Sequence, residues 1–225
     1  VNEFGGSLGG PIVKNKLFFF TAYSPRVDKR TNPYNFSDTA GEIDRTIWTQ
    51  QGFGKLTYGA KRFNANWSAL WTPTKATGTL PGYNGQGANA LTSTLASQSI
   101  QNDRGYEQNQ VNTAGTIDIT LNNSTFMSLR GGYFHDRYSD TGIPDTTSYR
   151  YLTSTAAVNN LIPADLQGGV GFENTPRAQI ADFDTTKRAT FNVDVNKVFN
   201  AGGFHTIKAG YGFQHVVNDI NTYYP

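Results

Sequence analysis

The chain has 225 residues, enough for one large domain or two of ordinary size, so its length alone decides little. Charged residues make up 16% of it and hydrophobic residues 37%, yet it contains 24 glycines, 12 tyrosines and 15 phenylalanines. A compact α/β enzyme would instead bury continuous runs of Leu, Ile, Val and Ala. The composition therefore favours a sheet with one apolar face and one polar face.

Cysteine content, charge and hydropathy exclude several classes of function. The chain has no cysteine, which excludes disulfides, zinc–thiolate sites and cysteine nucleophiles. The formal net charge is +2 and the basic residues are scattered, so no nucleic-acid partner is predicted. No run of about 18 apolar residues occurs, so a membrane-spanning structure would have to be a barrel. The chain begins at Val1 without a leader, and we expect it to be truncated at both ends.

The first predicted element is a β-hairpin over residues 2–28. Its strands cover residues 3–10 and 17–24, and its turn covers residues 11–16. Three consecutive phenylalanines at residues 18–20 break strict alternation. Such a break is typical of a strand with apolar contacts on both faces, or of an aromatic belt at a membrane interface.

The second predicted hairpin covers residues 45–73 and turns at residues 59–62. Its second strand alternates between apolar and polar side chains with period two. The apolar members are Phe63, Ala65, Trp67, Ala69 and Trp71, and the polar members are Asn64, Asn66 and Ser68. The first strand, over residues 46–58, alternates less regularly, which predicts a bulge.

The third predicted hairpin covers residues 108–137 and turns at residues 122–124. Its apolar face carries Val111, Ile117, Ile119, Leu121, Met127, Leu129, Gly131 and Tyr133. The opposite face carries Asp118 and Arg130. A face this polar is not the packed core of a small sandwich, because burying unpaired charge is costly.

The fourth predicted hairpin covers residues 184–218 and has the most regular pattern in the chain. Its first strand alternates Ala189, Phe191, Val193 and Val195 with Thr190, Asn192, Asp194 and Asn196. After a turn at residues 200–203, Ile207, Ala209, Tyr211 and Phe213 alternate with Thr206, Lys208, Gly210, Gly212 and Gln214. This is an antiparallel hairpin with one apolar face.

The connections between the hairpins differ greatly in length from the turns within them. Long polar segments over residues 29–44, 74–107 and 138–183 are predicted as external loops. Short turns on one rim and long loops on the other are the arrangement of an outer-membrane barrel. The predicted fold is all-β, an antiparallel up-and-down meander of about eight long strands that is part of a transmembrane β-barrel and open or curled in isolation.

No catalytic or cofactor site is predicted, and we expect the chain not to be an enzyme. The glycine-rich residues 5–10 precede Pro11 and no Lys-Ser or Lys-Thr pair, so neither a phosphate loop nor a dinucleotide fingerprint is present. Ser7 lacks the Gly-x-Ser-x-Gly elbow of hydrolases. These glycines instead predict a bent strand that passes close to its neighbour.

No metal site is predicted either. The histidines, His135, His205 and His215, are too widely spread for a sequence-local motif. His205 follows a turn and is predicted to fix the hairpin through a hydrogen bond. Carboxylates flank the last predicted loop at Asp136, Asp140, Asp145, Asp182 and Asp184. Calcium binding by these carboxylates is less favoured than the absence of a metal site, because the loop glycine and terminal Glu of the well-known calcium loop are missing.

Aromatic residues in the predicted loops are candidates for stacking on a substrate. They are Tyr34, Phe36, Tyr83, Tyr149 and Tyr151. Packing within the loops is the more common role of such aromatics, and it remains the alternative.

Residues 2–20, with the sequence NEFGGSLGGPIVKNKLFFF, resemble the early barrel segment of Oar-like TonB-dependent receptors, whose members carry a carboxypeptidase-regulatory-like domain. Residues 54–58 and 203–210 resemble later hairpins of the same barrels. The resemblance implies an outer-membrane barrel of about 22 strands with an internal plug. It also implies contact with outer-membrane lipid, with the barrel assembly machinery, and with TonB and its inner-membrane motor proteins through a plug that this chain lacks.

The resemblance implies that the chain is a wall and external-loop segment of a transporter for energised uptake or export, and the sequence does not identify the substrate. One alternative is a free-standing small outer-membrane barrel acting as an adhesin or structural envelope protein, which predicts an open reading frame that starts and stops close to this segment. A second alternative is a secreted β-rich carbohydrate-binding module, which predicts solubility without detergent.

Overall fold

The computed structural model describes residues 1–35, 40–78, 104–142 and 181–223. These ranges form a single sheet of twelve strands, and no helix that could cross a membrane was found in them. The strands are β1 (Asn2–Glu3), β2 (Gly6–Val13), β3 (Leu17–Tyr23), β4 (Arg26–Asn35), β5 (Ala40–Thr49), β6 (Gly52–Ala60), β7 (Phe63–Trp71), β8 (Thr74–Thr77), β9 (Gly105–Asn122), β10 (Thr125–Thr141), β11 (Ala181–Asn200) and β12 (Phe204–Tyr223).

Four of the twelve strands continue the strand before them in the chain, so the sheet contains eight long strands. Tyr23 lies opposite Gly52 and Arg26 lies opposite Thr49, so β3 and β4 pair with β6 and β5 in one continuous register. The same continuity joins β1 to β2, β5 to β6 and β7 to β8. The number of long strands predicted from the sequence is therefore confirmed.

Proline interrupts the hydrogen-bond ladder at two of these four divisions. Pro25 separates β3 from β4, Pro73 separates β7 from β8, and neither has an amide hydrogen to donate. Their carbonyl oxygens still accept hydrogen bonds: the amide of Gln50 donates to Pro73 at 2.9 Å and that of Phe4 donates to Pro25 at 3.4 Å. The sheet therefore keeps its register across the interruptions.

Each long strand pairs antiparallel with the next one along the chain. The order runs from β1 and β2 through β4 and β3, β5 and β6, and β8 and β7 to β9, β10, β11 and β12. This confirms the predicted antiparallel meander. Within the described ranges the sheet is not closed, because β12 pairs only with β11 and β2 only with β3.

The four predicted turns are confirmed, and each is shorter than its predicted segment. They occupy residues 14–16, 61–62, 123–124 and 201–203. Asn15 adopts a φ of 59° and Gly202 a φ of 72°, as the reversal of the chain requires. The bulge predicted in residues 46–58 was wrong: the strand is divided between Thr49 and Gly52, but its register with both neighbouring strands continues unchanged across the division.

The predicted bounds of the external loops were wrong, because strands extend into all three segments. Residues 29–44 contain parts of β4 and β5, residues 74–107 contain β8 and the start of β9, and residues 138–183 contain the end of β10 and the start of β11. These extensions are mostly polar and carry only isolated apolar residues such as Ile43 and Ala76, so no apolar alternation marks them, although backbone pairing still forms. Residues 36–39, 79–103 and 143–180 lie outside the described part of the chain.

The described sheet is a single layer. Its strands contact only the strands beside them, and no part of the sheet packs face to face on another part. In the described residues, the buried hydrophobic side chains are those of Ile43 and Ala76. The remaining apolar side chains do not form a dry core, and what covers them must come from elsewhere.

Gly105 is required for close approach of β9 to β8, which leads to a first prediction. A Cβ at Gly105 would lie 1.8 Å from the carbonyl oxygen of Ala76, whereas a Cβ at Gly54 would have no heavy atom within 4 Å. We expect Gly105→Ala to lower the free energy of unfolding by about 1–3 kcal/mol. Urea unfolding followed by tryptophan fluorescence measures this loss.

Gly54→Ala is the matched control for Gly105→Ala, because both glycines lie within strands. It should leave the free energy of unfolding within about 0.5 kcal/mol of the unsubstituted value. Equal effects of the two substitutions would contradict the close approach of β8 and β9.

Candidate functional site

The register aligns apolar side chains into rows that cross the sheet. Directly opposed residues of antiparallel strands point to the same face. One row consists of Leu17, Tyr58, Ala65, Ile117, Leu129, Val193 and Tyr211. The next consists of Phe19, Leu56, Trp67, Gly115, Gly131, Phe191 and Phe213. We call the surface that contains these rows the apolar face.

The apolar face is open within the described part of the chain. Trp67 is 48% exposed, Phe191 46% and Phe213 51%, although all three are large aromatic or apolar side chains. The two central rows contain no Asp, Glu, Lys or Arg. Contiguous apolar surface of this extent marks a surface that other apolar groups cover, because soluble monomers rarely expose it.

The opposite surface, which we call the polar face, carries the alternate residues. One of its rows contains Asn64, Asp118, Ser128, Asp194 and Gly210. Ser128 Oγ donates a hydrogen bond to Asp118, and the guanidinium of Arg130 lies 3.7 Å from the carboxylate of Asp194. The predicted positions of Asp118 and Arg130, opposite the face that carries Leu129, are confirmed.

The three consecutive phenylalanines contribute to both faces. Phe19 lies in an apolar row beside Leu56, while Phe18 and Phe20 lie on the polar face. The ring centroids of Phe20 and Phe53 are 6.0 Å apart. The broken alternation at residues 18–20 is therefore accounted for by apolar contacts on each side of the strand.

The apolar face has a limited height along the strands. On β7 it covers Phe63–Trp71, a strand of 9 residues. A tilted strand needs about 9–11 residues to cross the hydrocarbon core of a bilayer. At the end away from the short turns lie Tyr23, Trp48 and Trp71, all exposed, and Tyr23 Oη donates to Gln50 Oε1 at 3.1 Å. Aromatic side chains with a polar atom are typical of the border between apolar and aqueous surroundings.

The strands extend beyond the apolar face into a polar rim. Tyr138 Oη donates to Asp140 Oδ1 at 2.8 Å, and the amide of Asp182 donates to Asp140 Oδ2 at 2.9 Å. Burial lowers the pKa of Arg104, an effect that the carboxylate of Asp140 opposes. On β4, hydrogen bonds from Arg30 lower the pKa of Asp28. The rim is therefore held together mainly by hydrogen bonds and charge, with a smaller apolar contribution from buried Ile43 and Ala76.

The structure brings two of the flanking carboxylates, Asp140 and Asp182, close together. Asp140 bonds the backbone of Asp182, and Asp136 accepts two hydrogen bonds from Gln108 Nε2, at 3.1 and 2.9 Å. Across the residues that the structure describes, no group of three or more His, Asp or Glu side chains could hold a metal ion. Asp145 lies outside the described residues.

Each of the three histidines lies beside backbone or side-chain groups of the sheet. A ring nitrogen of His205 lies 3.2 Å from the carbonyl oxygen of Ala201, which confirms the predicted hydrogen bond at the hairpin. The His135 ring is parallel to that of Tyr133, with centroids 6.5 Å apart. His215 lies opposite Ala189 on the apolar face.

The side chains of the aromatic substrate candidates all lie outside the described part of the chain, so their role stays a prediction. Tyr34 belongs to β4, opposite Gly41, so it was wrongly predicted in a loop; its side chain lies outside the described part. Phe36, Tyr83, Tyr149 and Tyr151 also lie outside the described residues. The sequence did not predict how apolar side chains of neighbouring strands align into rows, because this alignment depends on strand register, which no single segment encodes.

Comparisons with protein-family models, with curated proteins and with solved structures found no match to this chain.

The rim hydrogen bonds lead to a second prediction. Replacing Asp140 by Ala removes the acceptor of the Asp182 amide, and a hydrogen bond to a charged group contributes about 1.5–3 kcal/mol. Hydrogen exchange of the Asp182 amide should become faster by at least about tenfold. Asp136→Ala is the control, since Asp136 binds Gln108 instead. Unchanged exchange in Asp140→Ala would show that the bond does not protect the amide.

Proposed function

We propose that this chain is a wall and loop segment of an outer-membrane β-barrel, within a TonB-dependent transporter for energised uptake or export of an unidentified substrate. The observation that carries the proposal is the single-layer sheet with one apolar and one polar face. Its rows of apolar side chains have no partner among the described residues. A bilayer supplies such a partner.

Lipid on one face and water on the other account for the distribution of side chains. Hydrocarbon contacts the rows that include Leu129 and Val193, while Asp118 and Arg130 face a wet lumen. Within a membrane every backbone polar group needs an internal partner, and the continuous ladders between neighbouring strands supply it. A location in the outer membrane of a Gram-negative cell follows from this proposal.

The resemblance to Oar-like TonB-dependent receptors supports the more specific part of the proposal. Residues 2–20 include β1, β2 and the start of β3, residues 54–58 lie in β6, and residues 203–210 begin at the last turn and enter β12. In a transporter of this kind the chain is a passive wall. Opening of the path would depend on a plug, on TonB and on the inner-membrane motor, and insertion would depend on the barrel assembly machinery.

Two observations weigh against the alternatives. A free-standing small barrel requires a closed sheet, whereas the described strands leave β2 and β12 unpaired with each other. A secreted carbohydrate-binding module requires a covered core, whereas the described strands form one layer with exposed aromatic rows. Solubility of the protein without detergent would favour the secreted module.

The facing assignment leads to a third prediction. Val193 lies opposite Leu129 and Tyr211 in a central apolar row, whereas Thr190 lies on the polar face opposite Gly132 and Gln214. A lysine on the lipid face at mid-membrane costs about 2–4 kcal/mol. Val193→Lys should therefore reduce the fraction of folded protein in the outer membrane, measured by heat-modifiable electrophoretic mobility.

Thr190→Lys is the matched control on the same strand, since a lysine there reaches water. It should leave the folded fraction close to that of the unsubstituted protein. Ile117→Lys lies in the same apolar row as Val193 and should behave as Val193→Lys does. Equal tolerance of all three lysines would contradict the proposed membrane face.

A further inference from the structure

A groove on the apolar face lies over two opposed glycines. Gly115 of β9 pairs with Gly131 of β10. Trp67 lies opposite Gly115 on one side and Phe191 lies opposite Gly131 on the other, so aromatic side chains form both walls. Tyr133 is also part of the lining. The cavity has a volume of about 580 Å³, which is enough for part of a small ligand.

Packing among the residues that the structure describes does not explain the two glycines. A Cβ at Gly115 would come no closer than 3.5 Å to the surrounding heavy atoms, and one at Gly131 no closer than 3.7 Å. These are ordinary van der Waals distances, and neither glycine has a positive φ. Glycine within a strand weakens it, so a larger residue would stabilise the sheet. The space over the pair is therefore open to a molecule from outside the chain.

Two cations lie on the same face, between the groove and the polar rim. Lys187 is two rows above the glycine pair, and Arg137 is one row further on the neighbouring strand. Both side chains are exposed, and neither forms an ion pair with the residues that the structure describes. Of the carboxylates on this face, Glu107 is bound to Lys75 at 2.7 Å, Glu42 and Asp44 lie on the distant strand β5, and Asp219 lies on β12. The surroundings carry an excess of positive charge.

The span from the far end of the groove, at the row of Ile117 and Leu129, to the cations matches one leaflet of a bilayer. From the row of Ile117 and Leu129 to the row of Lys187 the strands advance by about six residues, or about 20 Å. With a tilt of about 45° this is about 14 Å along the membrane normal, and half of a hydrocarbon core is about 15 Å. A chain that starts at the cations would therefore end near the middle of the membrane.

We propose that the groove binds one acyl chain of a membrane lipid whose net-negative phosphate headgroup contacts Lys187 and Arg137. This inference rests on the proposed function, since the apolar face must lie in a bilayer. The chain packs between Trp67 and Phe191, over the two glycines. The phosphate oxygens accept hydrogen bonds from the ammonium and guanidinium groups. An anionic lipid is thus held at one position of the barrel wall.

Trp67 provides a direct reporter for this site. The chain contains three tryptophans, so replacing Trp48 and Trp71 by Phe leaves Trp67 as the fluorophore within this segment. The protein is reconstituted into vesicles that contain phosphatidylglycerol or phosphatidylcholine with brominated acyl chains, at equal mole fractions. We expect the brominated phosphatidylglycerol to quench Trp67 more strongly, with a preference on the order of fivefold for each contacting cation.

Charge-removal variants test the headgroup contact. Replacing both Lys187 and Arg137 by Gln should abolish the preference for phosphatidylglycerol and leave quenching by phosphatidylcholine unchanged. Lys208→Gln is the control for removal of a positive charge on the other face, because Lys208 lies on the polar face opposite Asn196. It should retain the preference.

Groove-filling variants test the site of the acyl chain. Gly131→Leu should abolish the preference by occupying the groove, and Gly131→Ala should weaken it less. Gly54→Leu lies on the same face outside the groove and should retain it. Its open surroundings make it a suitable control for the added side chain.

The outcomes separate this inference from the proposed function. Equal quenching of Trp67 by the two lipids would overturn the anionic-lipid site while leaving the membrane-facing wall in place. Absence of quenching by either lipid would overturn both. A preference that survives in the Lys187 and Arg137 double variant would place the headgroup elsewhere and overturn the assignment of these residues.

Discussion

Strand register is the constraint on which the rest of this structure depends. Side chains alternate between the two faces of a strand, so a shift of one residue between any two neighbours would move a whole apolar set to the wrong side. Here the register holds across seven consecutive long strands, from Leu17 to Tyr211, without a single change of face. The tight turns at one end fix it, because their length leaves no slack for slippage.

This register also explains why two unlike surfaces coexist on one sheet. The apolar rows need no internal partner if hydrocarbon covers them, and the polar rows need none if water does. The polar face shows the local consequence at Asp118, which bonds a serine, and at Asp194, which lies beside a guanidinium. A second layer of protein would leave these groups desolvated, which is costly for charged side chains. The single layer is thus consistent with the distribution of charge.

The sequence predicted strands correctly where one face of the strand is apolar, and it failed to predict them where both faces are largely polar. The alternation around Val193 and Trp67 correctly predicted the strands, the turns and the face on which each side chain lies. A period of two in hydrophobicity arises because successive side chains of a strand point to opposite faces. Around Lys29 and Asp140 both faces are largely polar, so strands were mistaken for loops. The groove over Gly115 and Gly131 could not be foreseen from either strand alone, since it arises from the lateral alignment of four strands. The predicted aromatic substrate residues lie mainly in segments that alternation does not describe.

The prolines that divide the ladder have a mechanical consequence. Pro25 and Pro73 each remove one amide donor at nearly the same level of the sheet, between the apolar rows and the rim. The backbone hydrogen bonding between the first strands is therefore weaker along this line. Local opening above that line breaks few bonds below it, and proteins commonly open in such separate cooperative units. We therefore expect the rim to open locally while the strands below the prolines stay paired.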